Sequence, residues 1–417
     1  MRKLNQIFSF SLLAILISGC VTTAPAPVVA VTQTPELILS TVTAVQLQPS
    51  PTIAPTDIPT PAELPTALTP VGEQIQSIWM IDTQTGYSVW RTADGIRSLK
   101  QTADSGLTWQ EMALPKELMA ADRTTFDLLI TANKSGPLLL VAASGEINDN
   151  TPRVYISANR DGQWQPASDM DTTGLESFFV SQVDLQDAAT ARMLAHVGAG
   201  MNHDYIAVYR SQDGGMNWTR LLDPYGDTSG VQVCYKHQMF FLDDQHGWLS
   251  GTCNGVAAGV YLYLTNDGGT SWEEVQLPVP NDKPDLFTDF NQVCESAFPQ
   301  KDDSGALDLA MTCKDMNDQF GPLEGYTYHL PANSDRWQIQ SYPGGTLMVI
   351  SQTKWVAAGT KWEQSADGGA TWEEMAVNFG LVDSFQVIGQ NVWAITVKDD
   401  GSRSLVRSVD GGRNWIE

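Results

Sequence analysis

Basic residues are scarce in this chain. Twenty-four Lys and Arg stand against 48 Asp and Glu, a formal net charge of −24 over 417 residues. A surface so acidic repels phosphate backbones and anionic headgroups, so nucleic acid is not expected as a partner and direct docking on anionic lipid is disfavoured. Histidine is rarer still, at 5 residues, and no CxxC, HExxH, GxSxG, P-loop or dinucleotide fingerprint occurs. The ligand spacing of a calcium-binding EF-hand is missing as well. No cofactor and no metal is therefore expected. No long stretch shows a helical period. The apolar run Ile7–Ile17 is too short to cross a membrane comfortably as a folded helix.

That run has a different reading. Arg2 and Lys3 precede it, and "ISGC" at Ile17–Cys20 follows it. Ser18 and Gly19 are small enough for a peptidase cleft, and the Cys20 thiol can take a lipid. The stretch resembles a bacterial lipoprotein signal, which implies cleavage before Cys20 and acylation there. Residues 21–70 hold ten of the 22 prolines, many Thr and almost no charge. Proline so spaced forbids helix and strand ladders, so a disordered, extended tether is expected between the lipid and a folded domain at 71–417. The expected location is the outer side of a bacterial envelope membrane.

Four cysteines remain. Cys234 and Cys253 bound one stretch, Cys294 and Cys313 another; each begins Gln-Val-Cys, ends Thr-Cys and spans a separation of 19. An even count at matched spacing in an exported chain suggests two disulfides, Cys234–Cys253 and Cys294–Cys313, each joining a strand to its returning neighbour.

Glycine and tryptophan, by contrast, are plentiful, at 34 and 13. A phrase of the form [Ser/Thr]-x-Asp-x-Gly-x-[Thr/Ser/Asn]-Trp recurs, centred on Asp104, Asp213, Asp267, Asp367 and Asp410 and ending at Trp109, Trp218, Trp272, Trp372 and Trp415. A sixth copy ends at Trp164 with Asn159 at the aspartate position; a seventh keeps little but Trp337. Repeats spaced by about fifty residues mean an array. Glycine supplies positive φ, the carboxylate accepts turn N–H groups, and the indole tucks beneath. Each phrase is thus read as a structural latch between two strands. Five aspartates so spaced round a ring cannot converge on one atom.

The remainder of each repeat is strand-like, as in "HQMFFLDDQHGWLSGTC" before Asp267. About four antiparallel strands per repeat, arranged radially, make an all-β propeller. The latch resembles the Asp-box (BNR) repeat. The fuller pattern Asp244-x-x-Gly247-Trp248-x-x-Gly251, with Asp82, Gly86 and Tyr87 as its echo, is similar to blades of the photosystem II assembly and stability factor family and its bacterial relatives. The resemblance implies seven blades, with six or eight also open: 71–114, 115–167, 168–223, 224–277, 278–341, 342–378 and 379–417. The last blade is short of an outer strand, and residues near Val71–Gln76 are expected to complete it.

Three functions are compatible. A surface-anchored scaffold for a protein or glycan ligand is preferred, using variable loops opposite the latches. The candidate residues there are His203, Asp204, Tyr205, Asp315, Asp318, Phe320 and Tyr326, with Glu146, Asp149 and Glu324 nearby. A sialidase-like glycoside hydrolase is the alternative, weakened by the absence of a Phe/Tyr-Arg-Ile-Pro stretch and of a converging arginine triad. An assembly factor for a membrane complex is the third, against which the acidic charge counts. No catalytic residue is assigned, and the enzyme reading ranks below the scaffold.

Overall fold

The computed structural model describes residues 72–417 apart from 124–125, 145–152, 201–202, 226–230, 232–234, 253–259, 298, 302–304, 319–322, 333 and 335. Cys20, the tether, Cys234, Cys253, Glu146, Asp149 and Phe320 therefore lie outside the described residues.

Seven antiparallel sheets follow one another along the chain, and each is wound in sequence order from its first strand outward. The first strands are Glu73–Met80, Phe126–Ala132, Phe179–Leu185, Tyr235–Phe241, Gln292–Ser296, Thr346–Val349 and Leu381–Ile388. Hydrophobic clusters lie between successive sheets. Leu128, Ile130 and Leu140 of blade 2 meet Tyr87, Val89 and Leu99 of blade 1. Leu194, Ile206 and Val208 of blade 3 meet Met239 and Leu249 of blade 4. The core is thus a set of wedges between blades, and burying both faces of every sheet accounts for the Val, Leu, Ile and aromatic content of the inner strands. The result is a seven-bladed β-propeller.

The ring closes differently from the sequence expectation. Glu73–Met80 pairs with Gly86–Thr92 as the first strand of blade 1 and does not complete blade 7. Blade 7 has three strands, and its outer edge carries only a bridge between Arg407 and Ile416. The join between blades 7 and 1 is made by side chains. The Gln386 amide donates to Met80 O (2.7 Å) and accepts from Met80 N (2.6 Å). Arg403 donates to Ile75 O and Gln76 O, while Trp393 and Arg407 both donate to Ser105 O. Residues 73–80 are the edge strand of blade 1, paired on one side with Gly86–Thr92, and side chains of blade 7 meet their backbone. The apolar wedge at this join holds three buried residues, Ile75, Trp90 and Ile395.

The latches have one geometry. In the fourth, Asp267 accepts from Thr265 Oγ1 (2.9 Å), Thr270 N (3.0 Å), Ser271 N (2.9 Å) and Ser271 Oγ (2.6 Å). The residue before the tryptophan bonds the second carboxylate oxygen in all five: Thr108, Asn217, Ser271, Thr371 and Asn414. Gly214 and Gly215 sit at φ +72° and +96°, where a Cβ is strained. Trp218, Trp272, Trp372 and Trp415 donate to the carbonyl of the second glycine of their own turn. Trp109 instead meets Trp90 edge-on. In blade 2 the turn is capped by Asp161, not at Asn159. In the blade 4 hairpin the cap is Asp243, and Asp244 faces Arg192 and Arg210.

Cys294 and Cys313 are bonded and stand opposite each other in the ladder between the first two principal strands of blade 5, as the spacing predicts.

Candidate functional site

Each latch docks on the hairpin between the first two strands of its own blade; Gly214 N, for example, donates to Ala189 O (2.7 Å). Latches and these hairpins therefore share one face. The starts of the first strands, the loops after the second strands and the connections between blades lie on the other. This second face carries an apolar rim. Phe179 opens the first strand of blade 3 at 46% exposure, Tyr235 opens that of blade 4 at 53%, and Leu381 opens that of blade 7 at 58%. Phe290 and Met316 are exposed beside the same end of blade 5, where Met316 N donates to Asn291 O.

First strands of every blade except the second line a cavity of about 1050 Å³. Its lining runs from Leu381 at one end of blade 7 to Gln390 at the other. Asp184, Glu295 and Asp383 supply carboxylates, and Gln182, Gln238, Ser296 and Ser384 supply amides and hydroxyls. Burial pushes the Asp184 carboxyl above the usual carboxylate range, against the opposing charge of Arg192 and a bond from Leu185 N–H. Asp383 is paired with Arg403 at 2.5 Å. Gln238 Oε1, Ser296 Oγ and Ser384 Oγ are buried and have no protein partner. Gln182 clasps the blade 4 backbone, donating to Met239 O (2.6 Å) and accepting from Met239 N (2.8 Å).

The predicted loop residues separate. His203 begins the third strand of blade 3. Asp204 is not a loop contact: it is buried between blades 3 and 4, accepting from His196 Nδ1 and Lys236 N, because the strand carries it inward. Tyr205 is half-buried and packs on Tyr225, with ring centroids 5.1 Å apart. Asp315 caps its own turn through Asn317 N, and Asp318 is exposed beyond it. Tyr326 is core rather than rim, at 3% exposure, and desolvation raises its hydroxyl to about 12. Of the described residues, Asp204 and Tyr205 thus belong to blade 3, and Asp315, Asp318 and Tyr326 to blade 5.

Sequence reading missed the rim and His196. A signal existed: counting eight residues back from the hairpin caps Asp187 and Asp243 reaches Phe179 and Tyr235. Among the described residues, no group of three or more His, Cys, Asp and Glu is placed to hold a metal.

No family model matches the chain, and no curated protein does. Solved propellers resemble it in shape. The polysaccharide lyase Uly1 superposes with a TM-score of 0.52 at 10% identity, covering 83% of this chain and 91% of that one. The β-propeller domain of the Trilobed protease from Pyrococcus furiosus gives 0.49 at 7%, covering 83% and 97%. An α-L-arabinanase from Penicillium chrysogenum gives 0.44 at 14%, covering 72% and 97%. At 10% identity the likeness to Uly1 is one of fold alone.

Proposed function

We propose that this chain is a binding module displayed on the outside of a bacterial membrane, and that it takes a neutral or amino-sugar glycan at the open end of the cavity. One observation carries the reading. Phe179, Tyr235 and Leu381 stand exposed at the first position of their strands on one face, and Leu381 also lines a cavity whose walls supply carboxylates, amides and hydroxyls. Aromatic faces stack on sugar rings, and the amides and hydroxyls of the cavity lining suit a ligand rich in hydroxyl groups. The net charge of −24 disfavours uronic or sulfated polymers. The lipoprotein-like start at Ile17–Cys20 and the proline-rich stretch support display on a tether. Membership of the Asp-box propellers belongs to the same proposal, supported by the five matching latches.

The test is a glycan array followed by calorimetry on the best binder. Phe179→Ala with Tyr235→Ala should weaken binding at least tenfold with melting temperature unchanged. Absence of any glycan binding, or binding indifferent to both changes, would overturn the reading.

A further inference from the structure

Between blades 3 and 4, on the rim face, three side chains form a chain of hydrogen bonds. Asp204 Oδ1 and Oδ2 lie 2.9 and 3.0 Å from His196 Nδ1, and His196 Nε2 lies 3.0 Å from Ser181 Oγ. They come from three adjacent strands of one sheet, Phe179–Leu185, Ala191–Gly200 and His203–Ser211.

The backbone explains the convergence. Leu194 pairs with Gln182 and Ala195 with Val180, so Ser181 is an extra residue in a bulge. A bulge re-aims a side chain, and this one turns Ser181 toward the His196 face of the sheet. Val197 is a second extra residue, between the pairs His196–Ile206 and Gly198–Tyr205. Asp204 and Ile206 alternate onto the same face as His196.

Other blades have the bulge without the chemistry. The extra residue is Gln76 in blade 1, His237 in blade 4 and Asp383 in blade 7. In blade 4 the corresponding bond joins His237 Nε2 to Thr252 Oγ1 (2.8 Å), with no carboxylate behind it among the described residues. Only blade 3 places hydroxyl, imidazole and carboxylate in series among the described residues.

The surroundings fit roles as well as positions. The Asp204 side chain is 7% exposed, and Lys236 holds it from blade 4, the backbone N–H reaching Oδ2 (3.0 Å) and Nζ reaching the Asp204 carbonyl (2.7 Å). A carboxylate so fixed keeps the Nδ1 proton and leaves Nε2 to accept from Ser181. His196 is 24% exposed and Ser181 half-buried, so both meet solvent. Phe179 lies against His196, centroids 6.2 Å apart, and offers an apolar shelf.

We infer that Ser181, His196 and Asp204 form a nucleophilic site that hydrolyses carboxylic esters. Ser181 Oγ attacks the carbonyl carbon and its proton passes to His196 Nε2. The C–O bond to the alcohol breaks, and the alcohol leaves with that proton. Water then attacks the acyl-serine, giving a proton to His196 that returns to Ser181 as the carboxylic acid departs. Ser181 and His196 are the catalytic residues and Asp204 a positioning residue. The inference does not rest on the glycan reading, since the ester is recognised at the serine.

The test uses the full chain with p-nitrophenyl acetate and a fluorophosphonate probe. The native protein should turn over the ester and label on Ser181, located by peptide mass. Ser181→Ala should abolish labelling, and His196→Gln should lower kcat at least a hundredfold. Asp204→Asn should lower kcat with KM unchanged and slow labelling in proportion. No labelling of the folded native chain, label on another residue, or ester turnover equal in Ser181→Ala would each overturn the inference. Were Ser181→Ala to misfold, the labelled position in the native protein decides alone.

Discussion

Asp267→Ala removes the central acceptor of the fourth latch. Four bonds are lost: two from backbone N–H groups of Thr270 and Ser271, and two from the hydroxyls of Thr265 and Ser271. The carboxylate is exposed, so water replaces part of each bond, and a net value of about 0.5–1 kcal/mol apiece gives about 2–4 kcal/mol in all. Unfolding entropy near 2.1 cal/mol/K per residue, over a ring of about 350 residues, amounts to about 0.7 kcal/mol/K. The melting temperature should therefore fall by about 3–5 °C in a calorimetric scan at pH 7. Asp267→Asn keeps one acceptor oxygen and should lose less than half as much. The sign with pH is fixed too. Burial raises the Asp267 carboxyl, but bonds from Ser271, Thr265 and Thr270 outweigh it and hold it below 3.8. That stability is present above the unfolded value and is lost as pH falls through the lower, folded one. The gap between native and alanine proteins should close in acid. A fall under 1 °C, or equal falls for Ala and Asn, would refute the latch as a source of stability.

Two further changes probe the joins between blades. Gln386→Ala strips both partners from the Met80 peptide at the seam between blades 7 and 1, at a cost of about 2 kcal/mol. Hydrogen exchange at the Met80 amide should accelerate while the Met239 amide, held by Gln182, stays protected; equal change at both would count against a local clasp. Lys236 is held near pKa 8 by burial, opposed by Asp204, against an ordinary value of 10.5. The unfolded chain then binds the extra proton between those values, so native stability should rise from pH 8 toward 10.5 by about 3 kcal/mol. Lys236→Met should remove that slope in denaturant titrations at stepped pH, and an unchanged slope would refute the burial argument.

The propeller was legible because the latch is local. Ser or Thr, Asp, Gly and Trp within eight residues specify a turn whatever surrounds it, and five good copies set the period. Cys294–Cys313 was legible for a similar reason, since matched spacing in one hairpin encodes register. The seam was misread because a short last blade suggests a missing strand, whereas side chains of Gln386 and Arg403 do the joining. The grouping of Ser181, His196 and Asp204 could not be read at all. It depends on two bulges, and a bulge reverses which face a residue occupies without leaving a mark in composition. The rim escaped notice because its members differ in kind, Phe, Tyr and Leu, and share only a position.

Each sheet of the ring hydrogen-bonds within its own stretch of chain and lends no strand to a neighbour. Gene duplication or deletion of one such sector would leave every remaining ladder whole and would alter only the two wedges at the cut. Circumference is thus the quantity most open to change in descent, while the bulged third sector, whose Asp204 is held by Lys236 of the fourth, would have to be inherited or transplanted together with its neighbour.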